Sequence, residues 1–206
     1  HIFKNASSER AALVFQNETE KLVEISWAQL ISKTYAFQKK LIALGVTKGD
    51  AVVCFGINSP ETVAAFLATN ALGAVWSSCS PDFGVDAVYD RFKQLQPKVF
   101  FAHRTYQYNG KKQDCTGRIA AVQKQIQSIA HTIHLDAHAV FDDVSAQIDQ
   151  LQFVSVSFSD PIWVLFSSGT TGKPKALVHG TGHMLLEHLK ALALHQNVCE
   201  GDTYFW

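Results

Sequence analysis

Nine consecutive residues, Ser167-Ser168-Gly169-Thr170-Thr171-Gly172-Lys173-Pro174-Lys175, hold the densest chemistry in this sequence. They comprise four hydroxyl side chains, two glycines, two lysines and one proline. Glycine lets a backbone bend until several N–H groups face one point, hydroxyls add donors, and lysines add positive charge. That set suits a polyphosphate. The same residue types also build ordinary polar turns; here the concentration of hydroxyl and Lys side chains favours phosphate. The apolar run Ile162-Trp163-Val164-Leu165-Phe166 immediately before it predicts a strand that delivers the chain into this loop.

The two commonest phosphate loops do not fit. A Walker A loop ending at Gly172-Lys173 needs its first glycine where Ser167 stands and its metal-binding hydroxyl where Pro174 stands. A dinucleotide fingerprint starting at Gly180-Thr181-Gly182 needs its third glycine at Leu185. No Gly-x-Ser-x-Gly elbow occurs either. His179, His183 and Glu187 could approach one another only on a shared helix, and Gly180 and Gly182 predict against a helix there, so no residue is assigned to a metal.

A second basic cluster lies at Arg104, Lys111 and Lys112, beside Tyr106 and Tyr108, in a polar stretch from His103 to Cys115 that reads as a loop. It follows the apolar run Lys98-Val99-Phe100-Phe101-Ala102, and a strand end is the usual edge for ligands in an open parallel sheet. A solvated basic loop accounts for it equally well.

The elements that must carry these loops follow from changes of period. Ala11 to Gln16 and Leu22 to Ser26 predict a hairpin. Trp27, Leu30, Ile31, Thr34, Phe37, Leu41 and Leu44 recur at helical spacing, with Ser26 placed as N-cap and Gly45 just beyond the end. Ala51 to Gly56 is an unbroken apolar run, the mark of a strand buried on both faces. Ser59-Pro60 opens a second helix that Gly73 closes. Ala74-Val75-Trp76 is again strand-like, Val85 to Leu95 helical, Gly117 to Ile129 helical, and Thr132 to Leu135 a strand. Phe141 to Phe158 has no clear period, and Leu185 to Leu194 returns to helix. Such alternation specifies an α/β fold with parallel-sheet layers flanked by helices on both faces. The aromatic residues sit mostly at strand and helix-face positions and read as core.

Of the 206 residues, 47% are hydrophobic and 17% charged, enough to build a core. Lys plus Arg and Asp plus Glu are 18 each. The balance gives no footprint for nucleic acid or an anionic membrane, and no apolar run reaches the roughly 18 residues of a membrane span. Cys54, Cys79, Cys115 and Cys199 contain no Cys-x-x-Cys pair and read as reduced thiols, hence a cytoplasmic compartment. The chain starts at His1 and stops within the strand-like Tyr204-Phe205-Trp206, which reads as a piece of a longer polypeptide.

Ser167 to Lys175 resembles the phosphate loop of the adenylate-forming superfamily of acyl-CoA synthetases, luciferases and peptide-synthetase adenylation domains. Ile25 to Leu30 resembles that superfamily's first core motif, and Asn70 to Pro81 its second. Gly73 to Gly84 is similar to the acetoacetyl-CoA synthetase branch, as are Arg91-Phe92, Gln96-Pro97-Lys98, Trp163-Val164-Leu165 and Val178-His179-Gly180. Ala176 replaces a glycine common in the superfamily, and His183 stands where the pattern has Gly.

The resemblance implies part of the large N-terminal domain of an adenylate-forming enzyme. About 1–160 would form a first α/β subdomain, and 161–206 the phosphate loop and the start of a next sheet, with the C-terminal domain absent. It implies ATP-dependent ligation of a short 3-oxo acid, acetoacetate, to CoA through an acyl-adenylate, with Mg2+ accompanying the nucleotide. Ser167, Ser168, Gly169, Thr170, Thr171, Gly172, Lys173 and Lys175 would hold the ATP phosphates. Arg104, Lys111 and Lys112 would meet CoA, and Ser78 to Gly84 would border its channel. No catalytic residue falls in this stretch, and the 206 residues by themselves are expected to be inactive. An acetyl- or propionyl-CoA synthetase, or a non-catalytic nucleotide-binding relative, are the alternatives.

Overall fold

The structure is a computed structural model and describes residues 2–7, 9–19, 21–136, 145–168 and 172–205. A hairpin of β1 (Ala11–Phe15) and β2 (Val23–Ser26) opens the chain, with Ala11 paired to Ser26 and Phe15 to Val23. Helix α1 (Trp27–Ala43) starts directly at Ser26, whose hydroxyl accepts from the Gln29 N–H at 3.2 Å while the Gln29 side chain accepts from the Ser26 N–H at 2.8 Å. This reciprocal cap satisfies two of the donors that a helix start leaves open. Helix α2 (Pro60–Ala71) has Ser59 as its cap and Pro60 in its first turn, as the sequence predicts.

Strands β3 (Ala51–Phe55), β4 (Val75–Cys79), β5 (Val99–Ala102) and β8 (His131–His134) form a parallel set in the order β4-β3-β5-β8. Alternate residues serve opposite faces. Val52 and Cys54 of β3 join Phe37 and Leu41 of α1 and Ala64, Ala65 and Ala68 of α2 on one side. Val53 and Phe55 join Val88 and Phe92 of α3 (Val85–Phe92) and Ile119 and Val122 of α4 (Thr116–Gln125) on the other. Both faces being covered explains why these strands read as continuous apolar runs. The chain enters the parallel set at β3, moves out to β4, then crosses back to β5 and β8, so its direction reverses between β3 and β5. Crevices outside the carboxyl ends of strands at such a reversal are where open α/β sheets bind ligands.

Three features differ from the sequence expectation. The stretch after His103 is not a loop but a two-stranded ribbon, β6 (Thr105–Tyr108) and β7 (Lys111–Asp114). Its turn is Asn109-Gly110, with φ of 51° and 70°, the pairing that matches the twist of a tight hairpin. Strands β9 (Pro161–Ser167) and β10 (Lys175–Gly180) do not begin a new sheet. They extend the first, because β9 runs parallel beside β4 with Trp76 opposite Trp163, and β10 folds back antiparallel on β9.

Helix α5 (Thr181–Lys190) starts at Gly180 and contains Gly182, His183 and Glu187, against the expectation that these glycines exclude a helix. Glycine propensity is outweighed by docking. The Thr181 N–H donates to the Asp160 carbonyl and the Gly182 N–H to the Phe158 carbonyl, both at 2.8 Å. A π-helical turn (Ala191–His195) follows. The aromatic residues divide: Phe37, Phe55, Phe92, Phe100 and Phe101 are fully buried, whereas Tyr108, Phe158 and Phe205 are exposed. The expectation for Phe141 falls outside the described residues, and the only regular structure among the described residues from 145 to 160 is a 3-10 turn (Ile148–Gln150).

Candidate active site

The polar loop joins β9 to β10 at the end of the sheet where the parallel strands have their carboxyl termini. Ser167, the last residue of β9, stands opposite Lys175, the first of β10. Ser168, Gly172, Lys173 and Lys175 are exposed, and Gly172 has φ of 85°, a conformation that L side chains seldom adopt. Gly169, Thr170 and Thr171 lie outside the described residues. Pro174 is buried, and its carbonyl accepts a hydrogen bond from the Gln94 side chain at 3.0 Å. Lys173 contributes to holding the Asp90 carboxyl below its ordinary range, an effect led by the hydrogen bond from Lys93. Neither Lys173 nor Lys175 has a carboxylate within ion-pairing distance among the described residues. The exposed Lys173, Lys175 and Ser168 beside the anchored Pro174 fit an incoming polyphosphate. Nothing in the sequence marks Gln94 or Asp90, because they come to the loop from α3 and the turn after it, some 80 residues earlier in the chain.

Next to β9 in the sheet, the chain after β4 runs from Ser80 to Gly84. Arg118 of α4 donates to the Pro81 carbonyl at 2.5 Å and to the Phe83 carbonyl at 3.2 Å, and Arg91 lies over the Phe83 ring at 4.9 Å. Two arginines on different helices therefore hold this segment in shape. Cys79 and Cys54, on adjacent strands, are buried unbonded thiols; burial pushes Cys79 up to about 12, and burial likewise raises Cys54 and Cys115. The exposed thiol is Cys199.

Beyond β3, the ribbon β6–β7 rises from the end of β5. Arg104 is partly engaged: its Nε lies 3.2 Å from each carboxylate oxygen of Asp136. Lys111 and Lys112 are exposed. Beneath the ribbon, at the reversal between β3 and β5, lies a cavity of about 320 Å3 bordered by Ile25, Ser59, His103, Tyr106, Lys112 and Asp136, among others. Ser59 Oγ and His103 Nε2 are 3.4 Å apart at its floor. His103 packs so closely on Gly56 that a Cβ there would lie 2.4 Å from its Nδ1. The two basic clusters are thus not in one pocket. Strand β9 is three places from β5, about 14 Å at ordinary strand spacing, along one sheet edge. Among the described residues no group of three or more His, Cys, Asp or Glu gathers as a metal site, and His179 lies on β10 while His183 and Glu187 lie on α5.

The family of AMP-binding enzymes matches residues 3–206. The chain belongs to the AMP-binding enzyme family. Among relatives, the chain is 38% identical to the acetoacetyl-coenzyme A synthetase of Rhizobium meliloti (strain 1021), over 95% of this chain and 32% of that protein. It is 35% identical to the acetoacetyl-CoA synthetase of Mus musculus, over 100% of this chain and 34% of that one. Of solved structures, the acetoacetyl-CoA synthetase from Streptomyces lividans superposes with a TM-score of 0.88 at 37% identity, over 96% of this chain and 32% of the other. The chain therefore spans about a third of the length of the relatives it matches. As an AMP-binding family member it has a mostly parallel sheet with helices on both faces, as its sequence predicts. Among the described residues no helix is long and apolar enough to cross a membrane.

Proposed function

We propose that the full-length protein is an acid–thiol ligase that joins acetoacetate to CoA at the expense of ATP. A carboxylate oxygen of acetoacetate attacks the α-phosphorus of ATP and pyrophosphate leaves. The CoA sulfur, as thiolate, then attacks the acyl carbon of the adenylate and AMP leaves. The observation that carries this reading is the exposed Ser168, Lys173 and Lys175 at the junction of β9 and β10, on the carboxyl edge of the sheet, in a chain similar over 95–100% of its length to acetoacetyl-CoA synthetases.

In the first step, negative charge grows on the departing pyrophosphate. Ser167, Ser168, Thr170 and Thr171 supply hydroxyl donors, Gly169 and Gly172 permit close backbone approach, and Lys173 and Lys175 supply charge. Mg2+ enters with the nucleotide, and no residue of this chain is assigned to it. In the second step, Lys111 and Lys112 receive the phosphates of CoA, while Arg104, engaged by Asp136, shapes the base of the ribbon. The separation along the sheet edge accommodates two nucleotides that act in turn. Three buried cysteines free of disulfides favour a reducing compartment, the cytoplasm.

Pyrophosphate release by the full-length protein, with ATP, CoA and either acetoacetate or acetate, tests this. A higher kcat/KM for acetoacetate is expected. Equal values or a preference for acetate would move the protein to the acetyl-CoA synthetases, and no release with either acid would leave a nucleotide-binding relative without ligase activity.

A further inference from the structure

The ribbon β6–β7 has four residues in each strand and, among the described residues, pairs with no other strand. A two-stranded ribbon of this size is marginal in water without further support. Its base is tied down: the Cys115 N–H donates to the Arg104 carbonyl at 2.7 Å, and Arg104 meets Asp136. Its far end is held by a residue distant in sequence. The Asn109 N–H donates to Glu18 Oε1 at 2.7 Å, and the Gly110 N–H donates to Glu18 Oε2 at 2.8 Å. With φ positive at both positions, two successive N–H groups point outward to one spot, a backbone concavity shaped for an anion. Both oxygens of one carboxylate fill it.

Glu18 is well placed to act as an anchor. Asn17 Oδ1 accepts from the Thr19 N–H at 2.9 Å, a local turn that presents Glu18 between the two strands of the first hairpin. That hairpin is itself fastened to the body of the fold, since Ala12 and Leu13 pack against the core that α1 and α2 share. Glu18 therefore ties the tip of the basic ribbon to the hairpin that packs on the main core.

We propose that Glu18 is a positioning residue for CoA: by clamping the Asn109-Gly110 turn it fixes the direction in which Lys111 and Lys112 leave the ribbon. The inference rests on the reading of those lysines as phosphate contacts. Lys111 follows Gly110 directly, so any pivot of the turn is passed to its side chain at once. Glu18 also places a negative charge near an anion's approach, and on charge alone its removal would tighten CoA binding. Exposure of the carboxylate to solvent screens that repulsion, and the geometric loss prevails. The two effects have opposite signs, which makes them separable.

The test uses the full-length protein with Glu18→Ala, Glu18→Gln and Lys112→Ala. In Glu18→Ala, KM for CoA is expected to rise about tenfold, the order of change from losing charge-assisted contacts, while KM for ATP moves less than about twofold. Glu18→Gln keeps one acceptor oxygen and should recover part of the loss. Hydrogen exchange at the Asn109 and Gly110 amides should speed up in both, more in the alanine variant. Faster exchange with an unchanged or lower KM for CoA would overturn the proposal and leave Glu18 a purely structural tie. If Lys112→Ala leaves KM for CoA unchanged, the phosphate reading of the ribbon fails instead, whatever Glu18 does.

Discussion

Lys175 and Ser167 face each other across the first rung of an antiparallel pair, so the connection between β9 and β10 leaves and rejoins the sheet at two residues whose backbones are fixed. Pro174 is pinned as well, by its burial and by Gln94. A lysine on such a base spends little conformational freedom in meeting a phosphate, unlike a lysine at a free loop tip. Lys173 differs, because Asp90 lies close enough for its carboxyl to feel the lysine's charge. The two lysines are therefore unequal, and Lys175 is the better candidate for the leaving pyrophosphate. Lys175→Ala in the full-length protein should slow acid-dependent ATP–pyrophosphate exchange by about 10- to 150-fold, the equivalent of one charge-assisted contact of about 1.5–3 kcal/mol. An exchange rate within twofold of wild type would show that Lys175 is dispensable and leave the charge to Lys173.

Among the elements, the join between β10 and α5 depends on one missing side chain. A Cβ at Gly182 would sit 2.1 Å from Phe158 Cδ2, and the Phe158 ring packs edge-on against His183 at 4.7 Å. Gly182→Ala should therefore lower the unfolding midpoint, whereas in a Phe158→Ala background the same change should cost much less; equal costs in the two backgrounds would mean that the contact does not govern the join. The same site shows why some elements were legible in sequence and others not. Caps at Ser26 and Ser59 act within four residues, so spacing alone placed α1 and α2. The start of α5 is set by carbonyls of Phe158 and Asp160, which only the folded chain brings to it. The ribbon β6–β7 did carry a local signal in Asn109-Gly110, but β7 is polar on both faces, and the alternation of β6, whose Tyr106 packs against the core, spans only four residues. In the candidate site, residue types singled out the stretch from Ser167 to Lys175 as the proposed phosphate loop, while Glu18, Gln94 and Arg118 act on partners too remote in sequence for any spacing to reveal.

Across the whole molecule, irregular chain is fastened to regular chain by charge and amide pairs rather than by sheet. Gln38 of α1 donates to the Gln152 carbonyl at 2.7 Å and accepts from the Gln152 N–H at 2.8 Å. Lys48, just before β3, meets Asp160 at 2.8 Å and the Ser155 carbonyl at 3.2 Å, and so secures the segment that leads into β9 and the proposed phosphate loop. The hydrogen bond from Lys48, helped by the Ser157 N–H, holds the Asp160 carboxyl below its ordinary range. Asp114, through Thr116, and Glu187, through Lys190, are lowered in the same direction. A carboxyl whose folded value lies below its unfolded one, near 4, stabilises the fold above that pH and loses the contribution as pH falls through the folded value. Stability of the full-length protein should thus be level from neutrality down to about pH 5 and decline below it. These pairs are largely exposed, and each one contributes little, so the decline reflects their sum. Asp160→Asn should flatten the slope of the denaturant midpoint against pH between about 5 and 3. A variant whose curve runs parallel to wild type would mean that Lys48 secures the segment through Ser155 alone, with the carboxylate of Asp160 adding nothing.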